Sequence, residues 1–159
     1  MKHWIWPLLW MSVIFYSSSQ PYQDQDIKPM LSEYIDLSFL NPVLYSVHFT
    51  YHHSEVSVEA LGTAGLVEFF IRKGAHITVF LVLTLLFYYA LTKSTRLATS
   101  GLMLIAWILT VLYAAFDEWH QGLTPNRTPY FGDVLLDTTG ATIAVGILFI
   151  VSSLRKSGK

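Results

Sequence analysis

The chain contains no cysteine, which excludes disulfide staples, thiolate nucleophiles and cysteine-ligated metals. It is also poor in charge. Asp, Glu, Lys and Arg make up only 13% of the residues, and the formal net charge is −1. With no basic surplus there is nothing to neutralise a phosphate backbone, so no nucleic-acid partner is expected. A glycine-rich phosphate loop, a serine elbow and the paired-His helix of zinc proteases are missing too. No internal repeat is present.

What the chain has instead is apolar length. Hydrophobic residues make up 53% of its 159 residues, and the mean hydropathy is +0.45. A helix needs about 20 apolar residues to cross about 30 Å of hydrocarbon. Three stretches meet that requirement, at residues 69–91, 97–116 and 130–154. A fourth, Trp4–Tyr16, is shorter and extends to residue 19 if Ser17, Ser18 and Ser19 join it. Its basic start, apolar middle and small residues also resemble a cleavable secretory signal. Five Trp and nine Tyr suit rings lying near lipid headgroups.

Charge sets the expected orientation. Lys2 precedes the first stretch, Lys93 and Arg96 fill the turn between the second and third, and Arg155, Lys156 and Lys159 form the tail. In a four-span hairpin topology these places share one side, which the positive-inside rule makes cytoplasmic. All eleven acids fall in the other two connections or at adjoining span ends. The expectation is an all-α, four-helix membrane bundle, one domain over residues 1–159, with both termini cytoplasmic. The 20–68 segment between the first two spans would be extracytoplasmic. Its apolar spacing over 27–45 and 56–70, interrupted by Pro42, Gly62 and Gly65, predicts two short amphipathic helices, packed on the outer face or lying in the interface.

Ionisable groups at membrane depth are costly unless paired or hydrated, and they mark functional sites by default. Here they concentrate where spans end. Asp117, Glu118, His120 and Gln121 close the third span, and helical spacing puts Asp117, His120 and Gln121 on one face with Glu118 beside them. A loop with two prolines carries Arg127, and Asp133, Asp137 and Gly140 then form one stripe of the fourth span. Arg72, Lys73 and His76 open the second. If these stripes face one another, ion pairs of Arg72 or Arg127 with Asp117, Asp133 or Asp137 can form. Such a network either closes the bundle structurally or is a site where mutual pKa shifts serve acid–base work. Two groups have metal-ligand chemistry: His48, His52 and His53 with Glu55, for which no second shell is identifiable, and Asp117, Glu118, His120, Asp133 and Asp137, the better hard-metal set by ligand type. No metal or other cofactor is expected. The Gly140–Ala144 spacing suits close helix packing.

The motifs Arg72-Lys73-Gly74-Ala75-His76, Asp117-Glu118-Trp119-His120-Gln121 and Pro125-Asn126-Arg127, with Asp133, Asp137 and Gly140, resemble the VanZ-like family. Phe15-Tyr16-Ser17-Ser18-Ser19-Gln20-Pro21 resembles its amino-terminal end. Asn126 stands where relatives often carry glycine. The resemblance implies a multi-pass protein of the bacterial cell membrane, named for association with glycopeptide resistance, chiefly to teicoplanin, and a retained first span. It maps the family's polar pattern onto Lys73, His76, Asp117, Glu118, Gln121, Arg127, Asp133 and Asp137.

Two functions follow as expectations. One is a non-enzymatic module contacting lipid and a glycopeptide or lipid-linked envelope precursor. The other is an intramembrane enzyme with His76 or His120 as acid or base and Asp117 or Glu118 as partner. Lys73, Gln121, Arg127, Asp133 and Asp137 would then bind substrate. A proton-coupled carrier on the Asp133–Asp137 stripe is disfavoured by four short spans without inverted repeats.

Overall fold

A computed structural model describes residues 2–125 and 127–157. Asn126 of the loop motif and Lys159 of the basic tail lie outside the described residues. Among the described residues there are six α-helices: α1 (Ile5–Ser18), α2 (Lys28–Tyr34), α3 (Asn41–Leu44), α4 (Val58–Ser94), α5 (Thr99–Gln121) and α6 (Phe131–Ser157). Two strands, β1 (His48–Tyr51) and β2 (Ser54–Ser57), pair as an antiparallel hairpin. The chain forms two compact units. One comprises residues 1–21 and 76–159, the other residues 22–75, and the chain passes between them within α4.

In the first unit α4, α5 and α6 supply the long apolar helices. Val58–Ser94, Thr99–Gln121 and Phe131–Arg155 are each long and apolar enough to cross a membrane. α1 has 14 residues, about 21 Å at 1.5 Å per residue. Pro7 sits in its first turn, where a missing N–H costs little. Ile14 of α1, Phe80, Leu83 and Phe87 of α4, and Leu102, Ala106 and Tyr113 of α5 share one core.

Hydrogen bonds tie these helices where apolar packing alone would allow sliding. The Trp10 indole donates to the Val79 carbonyl (2.9 Å), and the Tyr113 hydroxyl to the Met11 carbonyl (2.6 Å). Thr84 donates to Thr110 across the buried α4–α5 seam (3.0 Å). Gly140 lets α6 approach α4, because a Cβ there would collide with the Ile77 carbonyl.

The second unit corrects the expectation of an all-helical connection. Residues 48–57 form the β1–β2 hairpin, in register Tyr51↔Ser54. His52 and His53 make its two-residue turn with φ of 49° and 61°, the left-handed pair that such hairpins need and that His tolerates better than most residues. Val56 therefore sits on a strand instead of starting a helix. The amphipathic stretch 27–45 is also divided. α2 ends at Tyr34 as Ile35 turns extended, a 3-10 turn (Ser38–Leu40) follows, and α3 begins with Pro42 in its first turn. α4 starts at Val58, earlier than residue 69, and kinks at Gly62 (φ 70°, ψ 165°). Leu44, Val56, Val58 and Leu66 form the core of this unit.

Candidate functional site

The end of α5 buries its polar side chains. Asp117 is 1% exposed and Glu118 6%, with Gln121 buried beside them. Asp117 and Gln121 share a helical face as expected, and Gln121 Nε2 donates to Asp117 Oδ2 at 2.8 Å. Ser18, at the end of α1, donates its hydroxyl to the same oxygen at 2.9 Å. Arg127 Nη1 donates to Gln121 Oε1 at 2.8 Å, so the guanidinium is coupled to Asp117 through an amide. Thr124 adds a bond to the Ser18 carbonyl (3.3 Å). The result is a chain of hydrogen bonds running Arg127, Gln121, Asp117, Ser18.

A second arm joins α4 to α6. His76 Nδ1 lies 3.1 Å from Asp137 Oδ1, and Asp137 is 1% exposed. Glu118 accepts from the backbone N–H of Tyr130, just ahead of α6, where the positive end of the helix dipole favours a carboxylate. Glu118 is within electrostatic reach of Asp133, Asp137 and His76, and Asp137 within reach of Asp117 and Asp133. The Asp133 N–H bonds the Tyr130 carbonyl at 2.8 Å. The loop between α5 and α6 is held tightly, since Pro129 packs against Gly122 at a distance that a Cβ could not share.

One oxygen of each carboxylate has no hydrogen-bond partner among the described residues: Asp117 Oδ1, Glu118 Oε2 and Asp137 Oδ2. Buried polar atoms are nearly always paired. Leaving one unpaired costs about 1–3 kcal/mol.

The other expected residues make the following contacts. His120 does not join Asp117 and Gln121. Its ring stacks on Phe15 of α1 with centroids 4.0 Å apart, and its buried Nδ1 has no hydrogen-bond partner among the described residues. Arg72 pairs with Glu68, one turn back on α4, at 2.9 Å. Lys73 lies over the Tyr51 ring, 4.4 Å from its centroid. His48 pairs with Glu55 at 3.3 Å on the exposed hairpin. Among the described residues no three His, Asp or Glu side chains are placed to hold a metal ion. Ser18, Thr124 and Tyr130 are contributors that the sequence reading missed. Ser18 could be seen only as part of a serine run ending a short helix, and nothing local to Thr124 or Tyr130 announced a tie to α1 or to Glu118.

The family model VanZ/LLP1 matches residues 3–152, nearly the whole chain. The chain belongs to this family. Its resemblance, first carried by the motifs at His76, Asp117 and Arg127, thus extends over α1 to α6. VanZ/LLP1 membership and three apolar helices of spanning length make it a membrane protein. No curated protein and no solved structure matches it.

Proposed function

We propose that this VanZ/LLP1 protein is a single four-span module of the bacterial cytoplasmic membrane. Its buried carboxylate cluster would bind a donor-bearing polar group of a glycopeptide or lipid-linked envelope precursor at the outer face, without turnover. One observation carries the reading: Asp117 Oδ1, Glu118 Oε2 and Asp137 Oδ2 are buried acceptors with no donor among the described residues. N–H or O–H groups of a ligand would fill them, and burial would strengthen each such bond. Orientation rests on the placement of Lys2, Lys93, Arg96 and Arg155 relative to the acids. α1 and the 3-10 turn Lys2–Trp4 before it would form the short first span.

The second reading, an intramembrane enzyme on the same class of ligand, is favoured by the His76–Asp137 pair. A carboxylate that orients an imidazole is the arrangement of a general acid or base. Glu118 would be its partner and Arg127, fixed by Gln121, an anion contact.

The size-conserving variants Asp117→Asn, Glu118→Gln, Asp137→Asn and His76→Gln separate the readings. Each is assayed for amount in the membrane, for teicoplanin susceptibility in a sensitive host, and for envelope lipids by mass spectrometry. Near-normal amount with loss of the wild-type susceptibility shift and unchanged lipids supports binding. A lipid product that needs His76 transfers the assignment to the enzyme. Loss of every variant from the membrane leaves a structural network, and a wild-type chain that shifts no susceptibility removes the resistance role.

A further inference from the structure

The unit of residues 22–75 carries more apolar surface than its core uses. Leu40 and Leu44, four apart, pack inward with Val56, Val58 and Leu66. Phe39 and Val43, one position earlier and also four apart, stand outside that core, 71% and 67% exposed. α2 repeats the pattern, with Leu31 buried while Met30 and Tyr34 are 52% and 75% exposed. Each helical piece therefore has an inward stripe that explains its fold and an outward stripe that does not. Large apolar side chains exposed in this way mark a contact with something outside the chain.

We propose that this outward stripe lies in the interfacial layer of the bilayer, with Met30, Phe39 and Val43 immersed and Tyr34 at headgroup level. Three observations choose lipid over another occupant. First, residues 58–75 of α4 belong to the same unit and carry exposed apolar side chains, Phe70 and Ile71, on a helix long and apolar enough to cross a membrane. The unit therefore already has lipid-facing surface. Second, α2 and α3 are seven and four residues long, too short to cross and suited to lying in the membrane plane. Third, Asp24, Asp26, Glu33 and Asp36 stand against one base, Lys28, over residues 22–47. An acidic segment gains nothing from anionic headgroups, so apolar insertion with an amphipathic Tyr at the boundary has to hold it.

Because the chain lacks cysteine, single-cysteine variants can be spin-labelled without a background. Tyr34→Cys, Phe39→Cys and Val43→Cys report the outward stripe, and Ser32→Cys the polar side. Each is reconstituted in phosphatidylcholine vesicles, its fold checked by circular dichroism, and its collision rates with oxygen and with a water-soluble nickel chelate measured. Oxygen should exceed nickel at 39 and 43, the two should be comparable at 34, and the order should reverse at 32. Added phosphatidylglycerol should leave depth unchanged. Nickel exceeding oxygen at 39 and 43 would place them in water and overturn the proposal. Protection from both reagents would assign the stripe to a second copy of the chain, and insertion only with phosphatidylglycerol would assign it to charge; either also overturns it. The three reporter positions are independent, so one variant that misfolds leaves the others to decide.

Discussion

At Gly140 the α6 backbone comes so near α4 that an added Cβ would run into the Ile77 carbonyl. That closeness accompanies the meeting of Asp137, one turn earlier, with His76. Gly140→Ala should therefore lower stability by about 1–3 kcal/mol, the usual cost of overpacking. Gly146→Ala, where nothing lies within 4 Å, should be neutral or gain about 1 kcal/mol from helix propensity. Thermal unfolding of both in detergent, followed by tryptophan fluorescence, gives the order; a Gly140→Ala protein as stable as the Gly146 variant would contradict it. Gln121 offers a different contrast, because its amide donates to Asp117 and accepts from Arg127. Gln121→Met leaves buried Asp117 and Arg127 each short of a partner. It should lower the melting temperature, and an unchanged melting temperature would show that the amide serves neither. The Asp137–Gly140 stripe was legible because polar residues at helical spacing stand out in an apolar span. Ser18 and the turn of His120 towards Phe15 were not, since both depend on where α1 docks.

Among the elements, the hairpin and the α4 kink show why residues 56–62 misled a helical reading. Val56, Val58, Ala60 and Leu61 run together in sequence, yet the first belongs to a period-2 strand and the others to a helix. The change of period occurs at Ser57, whose hydroxyl accepts the Ala60 N–H at 3.1 Å and starts the new helix. The long helices were easier, because an apolar run past 20 residues needs no tertiary context. Gly62, at φ 70°, suits glycine alone; Gly62→Ala should cost about 1–2 kcal/mol of local stability, read as faster amide exchange over 58–66. Acid should loosen the preceding pieces. The Lys28 N–H bonded to Asp26 holds that carboxyl below its ordinary 3.8, and Ser38 does the same for Asp36. Their folded pKa values lie under the unfolded ones, so the stabilisation is complete above about pH 3.8 and is lost as pH falls through the depressed values. Protection of the Lys28 and Ser38 amides, taken relative to an unstructured peptide at the same pH, should fall only in that acid range, and Asp26→Asn should abolish the pH response at Lys28. Unchanged protection there would mean that neither cap holds its turn.

For the whole molecule the decisive quantity is the number of crossings. α4, α5 and α6 have spanning length, and α1 is the short one. Its burial against α4 and α5, through Trp10 to Val79 and Tyr113 to Met11, is how a helix inserted beside the other three would be held. Parity makes the difference measurable. With α1 crossing, the amino terminus, the α4–α5 turn and the carboxyl terminus share one side; without it, the amino terminus lies opposite the other two. Single cysteines are placed for this at Lys2, Thr95, Ser46 and a residue appended after Lys159, in a chain that has none. A membrane-impermeant maleimide should label Ser46→Cys in intact cells, and the other three only after permeabilisation. Labelling of Lys2→Cys in intact cells, with Thr95→Cys still protected, would reduce the crossings to three. Labelling of Thr95→Cys in intact cells would invert the positive-inside orientation and place the Asp117, Glu118 and Asp137 cluster on the cytoplasmic side, where a cell-surface glycopeptide does not reach it.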